Sequence, residues 1–151
     1  MLRFPVSYLI LEIVEGVARA FNDHDLERFL SYRSDDLVFQ DMAMPEPIRG
    51  KRAFGQLISR RWSAFPDMRV TVENLVVDCD CAVVQLRFTG THQGEMATPL
   101  GTVSPTGRRV EFPACTVVRI ANGKIYEQTT YQDYVGLIEQ LGALSLLARA
   151  A

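Results

Sequence analysis

The hydrophobic period changes once along this chain, and the change falls at Pro66. Before it, apolar residues recur at helical spacing. Within residues 8–21, Ile10, Ile13, Val14, Val17 and Phe21 form a single stripe, the pattern of an amphipathic helix. Asn22, Asp23 and His24 interrupt the stripe. Residues 25–30 then predict a short second helix, with Asp23 and Asp25 suited to its cap or first turn. Residues 37–41 read as a short strand that runs into a loop over 42–50, which holds Pro45 and Pro47. Residues 51–65 predict a third helix carrying Phe54, Leu57, Ile58, Trp62 and Phe65 on one face. Pro66 ends it, because the residue before a proline avoids the helical region.

After Pro66 the period is two. Met68, Val70 and Val72 alternate with polar residues, and so do Ala82, Val84, Leu86 and Phe88, with a turn over 78–80 between the two runs. Residues 107–120 and 124–133 predict long strands joined at Asn122-Gly123, and Asn-Gly is the strongest short hairpin signal. A last helix over 134–141 stops at Gly142, a C-cap position. Helices first and antiparallel strands later imply an α+β fold, with about three helices packed on a curved sheet. The space between sheet and helices is a natural small-ligand site. No repeat or linker divides the chain, so residues 1–151 read as one domain with a core over about 8–142. The apolar tail, 143–151, either docks on a partner subunit or frays.

Composition removes several classes. Lys and Arg number 16 against 18 Asp and Glu, a formal net charge of −2, without the basic excess that nucleic-acid binding uses. Apolar residues are 48% of the chain, which argues against disorder. They are broken by charge or Pro far short of a membrane span. The first 16 residues read as mature protein rather than as a signal peptide, because Pro5, Glu12 and Glu15 break the apolar run. Three cysteines, Cys79, Cys81 and Cys115, fit a reducing, cytoplasmic setting better than a disulfide framework. Cys79 and Cys81 with no second pair do not make a zinc site. No phosphate-binding, dinucleotide or metalloprotease motif is present, and no metal or cofactor is implied.

Several stretches together resemble the SnoaL-like polyketide cyclase family, within the larger superfamily of nuclear transport factor 2-like folds that also holds ketosteroid isomerases. They are Ala20-Phe21-Asn22 with His24-Asp25-Leu26, Gly50 opening the third helix, and WSAFPD at 62–67. FTGTHQGE at 88–95, Pro105-Thr106-Gly107-Arg108 and RIANGKIYEQTTYQDYVGLIEQLG at 119–142 complete the set. The resemblance spans about residues 13–142, and its last stretch is the most specific. It implies a cone-shaped α+β barrel, dimeric or tetrameric, with an apolar pocket for a hydrophobic small molecule.

Two carboxylates are candidate catalytic groups. Asp133 ends the predicted 124–133 strand, and parity puts it on the face of Ile125, Thr129 and Tyr131. A carboxylate on an apolar face is costly to bury charged, which suits general acid or base work. By resemblance it matches the aspartate used in the aldol ring closure of the family's cyclases. The competing reading is a helix N-cap, since residues 134–141 follow at once. Asp41 closes the short strand in VFQDMAMPEPIRG, a stretch that resembles the ketosteroid isomerase segment where an aspartate shuttles the proton. Its competing reading is a strand-end Asp opening a turn.

The resemblance also carries departures. The tyrosine and protonated aspartate that hold the oxyanion in ketosteroid isomerases align with Val17 and Thr116. The glutamine and histidine of the aldol cyclases align with Ala114 and Thr116. The expected pocket is therefore more apolar than either template, with Thr116, Tyr131 and Trp62 as possible donors. His92 could face the pocket mouth, although a lone His near a strand end is more often structural. Two functions of different class follow. One is a cofactor-independent cyclase or isomerase acting on a hydrophobic carbonyl compound through Asp133 and Asp41. The other is a non-catalytic ligand-binding or protein-association module, which the same fold also serves.

Overall fold

The computed structural model describes residues 6–149. The start of the N-terminal segment and the last two residues of the apolar tail lie outside the described residues. Helix α1 (Val6–Asn22) buries Ile10, Val14, Ala20 and Phe21 along the expected stripe. The residues that interrupt it are anchors. Asn22 pairs through both side-chain polar atoms with the Val70 backbone, at 2.9 and 2.7 Å, and His24 Nε2 lies 2.9 Å from the Met68 carbonyl. Asp25 caps α2 (Leu26–Ser31) by accepting from the Arg28 N–H. The α1–α2 corner is thereby pinned to the sheet by hydrogen bonds.

Strand β1 (Arg33–Asp41) begins earlier than the sequence predicted, and β2 (Ile48–Arg49) pairs with it. Helix α3 (Lys51–Ala64) starts after Gly50 and stops before Pro66, as expected. Long strands follow: β3 (Arg69–Asp78), β4 (Cys81–Thr91), β7 (Arg109–Ala121) and β8 (Lys124–Gln132). Between β4 and β7 stands a small hairpin, β5 (Met96–Thr98) with β6 (Gly101–Val103), which the alternation did not foretell. Asn122 and Gly123, both at positive φ, turn β7 into β8, as a type I′ hairpin requires. The chain closes with α4 (Tyr134–Gln140) and α5 (Ser145–Arg149); in the tail, Leu146 packs against the core.

Among the described residues the main sheet has six strands in the order β2-β1-β8-β7-β4-β3. The β1–β8 pair is parallel and the others are antiparallel. The sheet curves around α1 and α3, so the fold is the expected α+β class. Its core is aromatic where the helices meet the sheet: Phe21, Phe29, Trp62 and Phe88 pack with ring centroids 5.5 to 6.2 Å apart, and Phe39 lies 4.7 Å from Phe54.

One irregularity decides the site. In β8, Ile125 pairs with Ile120 and Glu127 with Arg119, so Tyr126 is an extra residue. A one-residue bulge exchanges the two faces of a strand. Ile125 is buried, but beyond the bulge the even residues Gln128, Thr130 and Gln132 face inward. They pair with Val118, Thr116 and Ala114 on the buried face of β7. The odd residues Thr129 and Tyr131 turn outward.

Candidate active site

Two cavities occupy the space between sheet and helices. An outer one of about 480 Å³ is lined by Asp41, Arg61, Phe65, Met96, Gln132 and Tyr134 among others. An inner one of about 90 Å³ is lined mainly by apolar side chains, with Arg33, Arg61, Thr116, Gln128 and Thr130 as polar exceptions. Phe39, Arg61 and Phe88 line both and form the partition.

Asp41 lines the outer cavity and is bonded to Arg61 of that partition. Leu37, Phe39 and Asp41 alternate on the buried face of β1, and the strand ends on the carboxylate. Its side chain is only 3% exposed. Oδ2 accepts from Arg61 Nη2 at 2.9 Å and from Gln132 Nε2 at 2.6 Å, and Oδ1 accepts from the Ala43 N–H at 3.0 Å. An ionised carboxylate offers about four acceptor sites. Three are filled by donors from three different segments, which fixes the group and leaves one acceptor site unfilled. Arg61 is 27% exposed, so the pair is half-wet rather than sealed. Tyr134 brings a hydroxyl to the same cavity. Burial pushes its pKa up; Arg61 opposes the shift and Asp41 adds to it.

The other expected residues divide. Thr116 and Val17 line the inner cavity, and the Thr116 hydroxyl is 2.9 Å from that of Thr130. Ala114 is buried on the same face of β7, between Phe112 and Thr116, but lines neither cavity. Asp133 and Tyr131 are corrections. The bulge at Tyr126 reverses the parity read from Ile125, so Tyr131 is 50% exposed and Asp133 points to the outside. Asp133 is the N-cap of α4, its carboxylate accepting from the Gly136 N–H at 2.8 Å.

Trp62 packs in the core instead of lining a cavity, its indole stacked on His24 with centroids 4.7 Å apart. His92 is fully buried beside Phe65 and also lines neither cavity. Its Nδ1 accepts from the Thr106 N–H at 3.2 Å, which fixes the loop that leads into β7. Burial pushes the His92 pKa down, against a smaller opposing effect of the Gly94 backbone.

Three partners escaped the sequence reading. Arg61 had a signal: it follows Leu57 by four residues and Ile58 by three, so it lies on the apolar stripe of α3. Gln132 is hidden by the bulge. Arg33 precedes an irregular stretch of β1 and had no pattern to mark it. Among the described residues, no group of three or more His, Cys, Asp or Glu side chains is arranged to hold a metal ion. None of their helices is long and apolar enough to cross a membrane.

Comparison with known proteins agrees with this architecture. The family model for SnoaL-like polyketide cyclases matches residues 11–141. No curated protein matches the chain by sequence. Among solved structures, IdmH from Streptomyces antibioticus, provisionally called a polyketide cyclase, is 28% identical with a TM-score of 0.74, over 87% of this chain and 97% of its own. A SnoaL-like protein from Jannaschia sp. CCS1, also provisionally a polyketide cyclase, is 22% identical with a TM-score of 0.81, over 95% and 98% of the two chains. An LEH-like epoxide hydrolase from M. tuberculosis shares the fold at 20% identity, with a TM-score of 0.70 over 97% and 100%. The matched model spans most of the sequence and the sheet-and-helix architecture is shared, so the chain belongs to the SnoaL-like polyketide cyclase family.

Proposed function

We infer that this chain is a cofactor-independent enzyme acting on a hydrophobic carbonyl compound, with Asp41 as the group that takes and returns a proton during ring closure or isomerisation. One observation carries the reading: a single buried carboxylate, oriented by Arg61, Gln132 and the Ala43 N–H, lines the outer cavity and is paired with Arg61, which lines both cavities. In the reaction, the C–H bond next to the substrate carbonyl breaks and its proton goes to Asp41. The electron pair moves to the carbonyl oxygen, and the Arg61 N–H groups and the Tyr134 hydroxyl, both lining the same cavity, are the donors assigned to hold it. In isomerisation the proton returns to a different carbon. In ring closure the enolate carbon attacks a second carbonyl, and the proton goes to the new alkoxide. Apolar walls hold a flexible substrate folded, which lowers the entropic part of the barrier.

The experiment is proton exchange. In D2O, the protein is expected to speed deuterium incorporation next to the carbonyl of 2-tetralone, read by NMR, and Asp41→Asn is expected to abolish the effect. Equal exchange by Asp41→Asn with an unchanged melting temperature rejects the mechanism.

The Arg61–Asp41 ion pair favours a second reading, ligand binding without turnover, because it occupies the carboxylate from one side. Saturable binding of 2-tetralone with no exchange above the buffer rate supports that reading.

A further inference from the structure

Arg33 is the least expected side chain in the molecule. It is 2% exposed and its guanidinium carbon sits 3.9 Å from the Phe29 ring centroid and 4.9 Å from that of Phe54. Nη1 donates to the Phe29 carbonyl at 2.6 Å and Nη2 to Gln128 Oε1 at 3.3 Å. Nε is buried with no hydrogen-bond partner. Arg33 makes no ion pair among the described residues.

Its surroundings make this more pointed. Of the side chains that line the inner cavity, the charged ones are Arg33 and Arg61, and no Asp or Glu joins them. Arg61 is committed to Asp41. Burial lowers the Arg33 pKa to about 9, so the group is still a cation at neutral pH. The inner cavity thus carries one positive charge that no residue balances. Capping the Phe29 carbonyl does not require this, since one neutral donor would do it. A guanidinium offers five N–H donors in a fork that fits a carboxylate, and only two are in use. The Thr116–Thr130 hydroxyl pair lines the same cavity. One of its two protons is consumed by their mutual bond and the other is free to donate.

We propose that the inner cavity is a subsite for the carboxylate of a short hydrophobic acid or acidic ligand arm, with Arg33 as the counter-charge that selects it. The cavity's volume of about 90 Å³ is several times the roughly 10–15 Å³ that one water needs by the same measure, enough for a carboxylate on a short aliphatic stem. The proposal rests on the cone being a small-molecule site, but not on proton transfer by Asp41.

The test is calorimetric titration of the full chain with butyrate, its neutral isostere butyramide, and chloride, in phosphate-free buffer. Butyrate is expected to bind at least tenfold more tightly than butyramide and chloride. Arg33→Met is expected to remove that preference, and Arg33→Lys to reduce it by losing the fork. Should Arg33→Met fail to fold, the wild-type protein still decides the matter. The Arg33 Nε–H NMR resonance, assigned by its loss in Arg33→Lys, is expected to shift on adding butyrate and not butyramide. Equal binding of butyrate and butyramide, chloride binding as tight as butyrate, or an unmoved Nε–H resonance each overturns the proposal. The tetralone exchange of Asp41→Asn does not enter this test, so the two readings fail separately.

Discussion

Gln132, and not the neighbouring Asp133, faces Asp41: its Nε2 donates to Asp41 Oδ2 at 2.6 Å, from the strand next to β1. The two carboxylates that the sequence offered as a pair therefore lie on opposite sides of the sheet's end. One is inside and held by donors, the other outside and capping a helix. This relationship is the basis of the proposed mechanism with one carboxylate and several donors, and of the first prediction.

Gln132→Leu removes one of three hydrogen bonds to Asp41. Hydrogen bonds to charged groups contribute about 1.5–3 kcal/mol. Because Arg61 and the Ala43 N–H remain, a loss at the lower end, about 1–2 kcal/mol, is expected in urea denaturation. Gln132→Glu is expected to lose more, because it sets a second carboxylate against the first.

Arg61→Met leaves the Asp41 carboxylate buried without its cation. A fully buried pair broken in this way costs about 3–5 kcal/mol. Arg61 is 27% exposed and water reaches it, so roughly 1–3 kcal/mol is expected. Asp41→Asn in the same chain is expected to recover part of the loss, giving a favourable coupling in a double-mutant cycle.

Asp133→Ala is expected to reduce stability by about 1 kcal/mol, the ordinary cost of a lost N-cap, while Asp133→Ser is nearly neutral. Neither changes tetralone exchange. A large fall in exchange for Asp133→Ser, with stability intact, would show that the outer carboxylate takes part in the chemistry.

Gly94 has no room for a side chain. An ideal Cβ there would lie 2.2 Å from the Ser63 carbonyl oxygen, a backbone atom that cannot step aside. The Gln93 and Gly94 N–H groups both donate to the Ala64 carbonyl, closing the end of α3. Gly94→Ala is expected to cost about 1–3 kcal/mol or more by overpacking, measured as a fall in melting temperature.

His92 gives the fold a pH dependence. Burial holds its pKa in the folded chain below the ordinary value, whereas the unfolded chain titrates near 6.5. Below about pH 6.5 the unfolded state therefore binds more protons. Stability contributed by neutral His92 is complete above that pH and falls as the pH drops toward the folded pKa. His92→Gln is expected to be less stable at pH 7.5 but to show a flatter decline between pH 7 and 5. Parallel declines for the two proteins would assign the slope to other groups.

Much of the architecture was legible in the residues because local rules carried it. The α1 and α3 stripes, the Pro66 stop, the Asn122-Gly123 hairpin and the Gly142 stop are each set by spacing or by one residue's backbone preference, and each stands where expected. The β5–β6 hairpin escaped because its strands are three residues long, too short for alternation to register. In the site, Asp41 was singled out because the stretch around it resembles the ketosteroid isomerase segment, and the structure places it at the end of the buried series Leu37, Phe39, Asp41 in β1. Arg33 was not, because the pairing of β1 with β8 shifts between Arg33 and Val38.

The amino-acid sequence alone determined the fold class and the order of the longer helices and strands, since these depend on periodicity and on residues that act on their own backbone. Only the tertiary structure decided which polar groups meet. One extra residue at Tyr126 reverses every side chain beyond it in β8, placing Gln132 on Asp41 and sending Tyr131 and Asp133 outward. A bulge is a property of the pairing between two strands, so neither strand's own sequence states it.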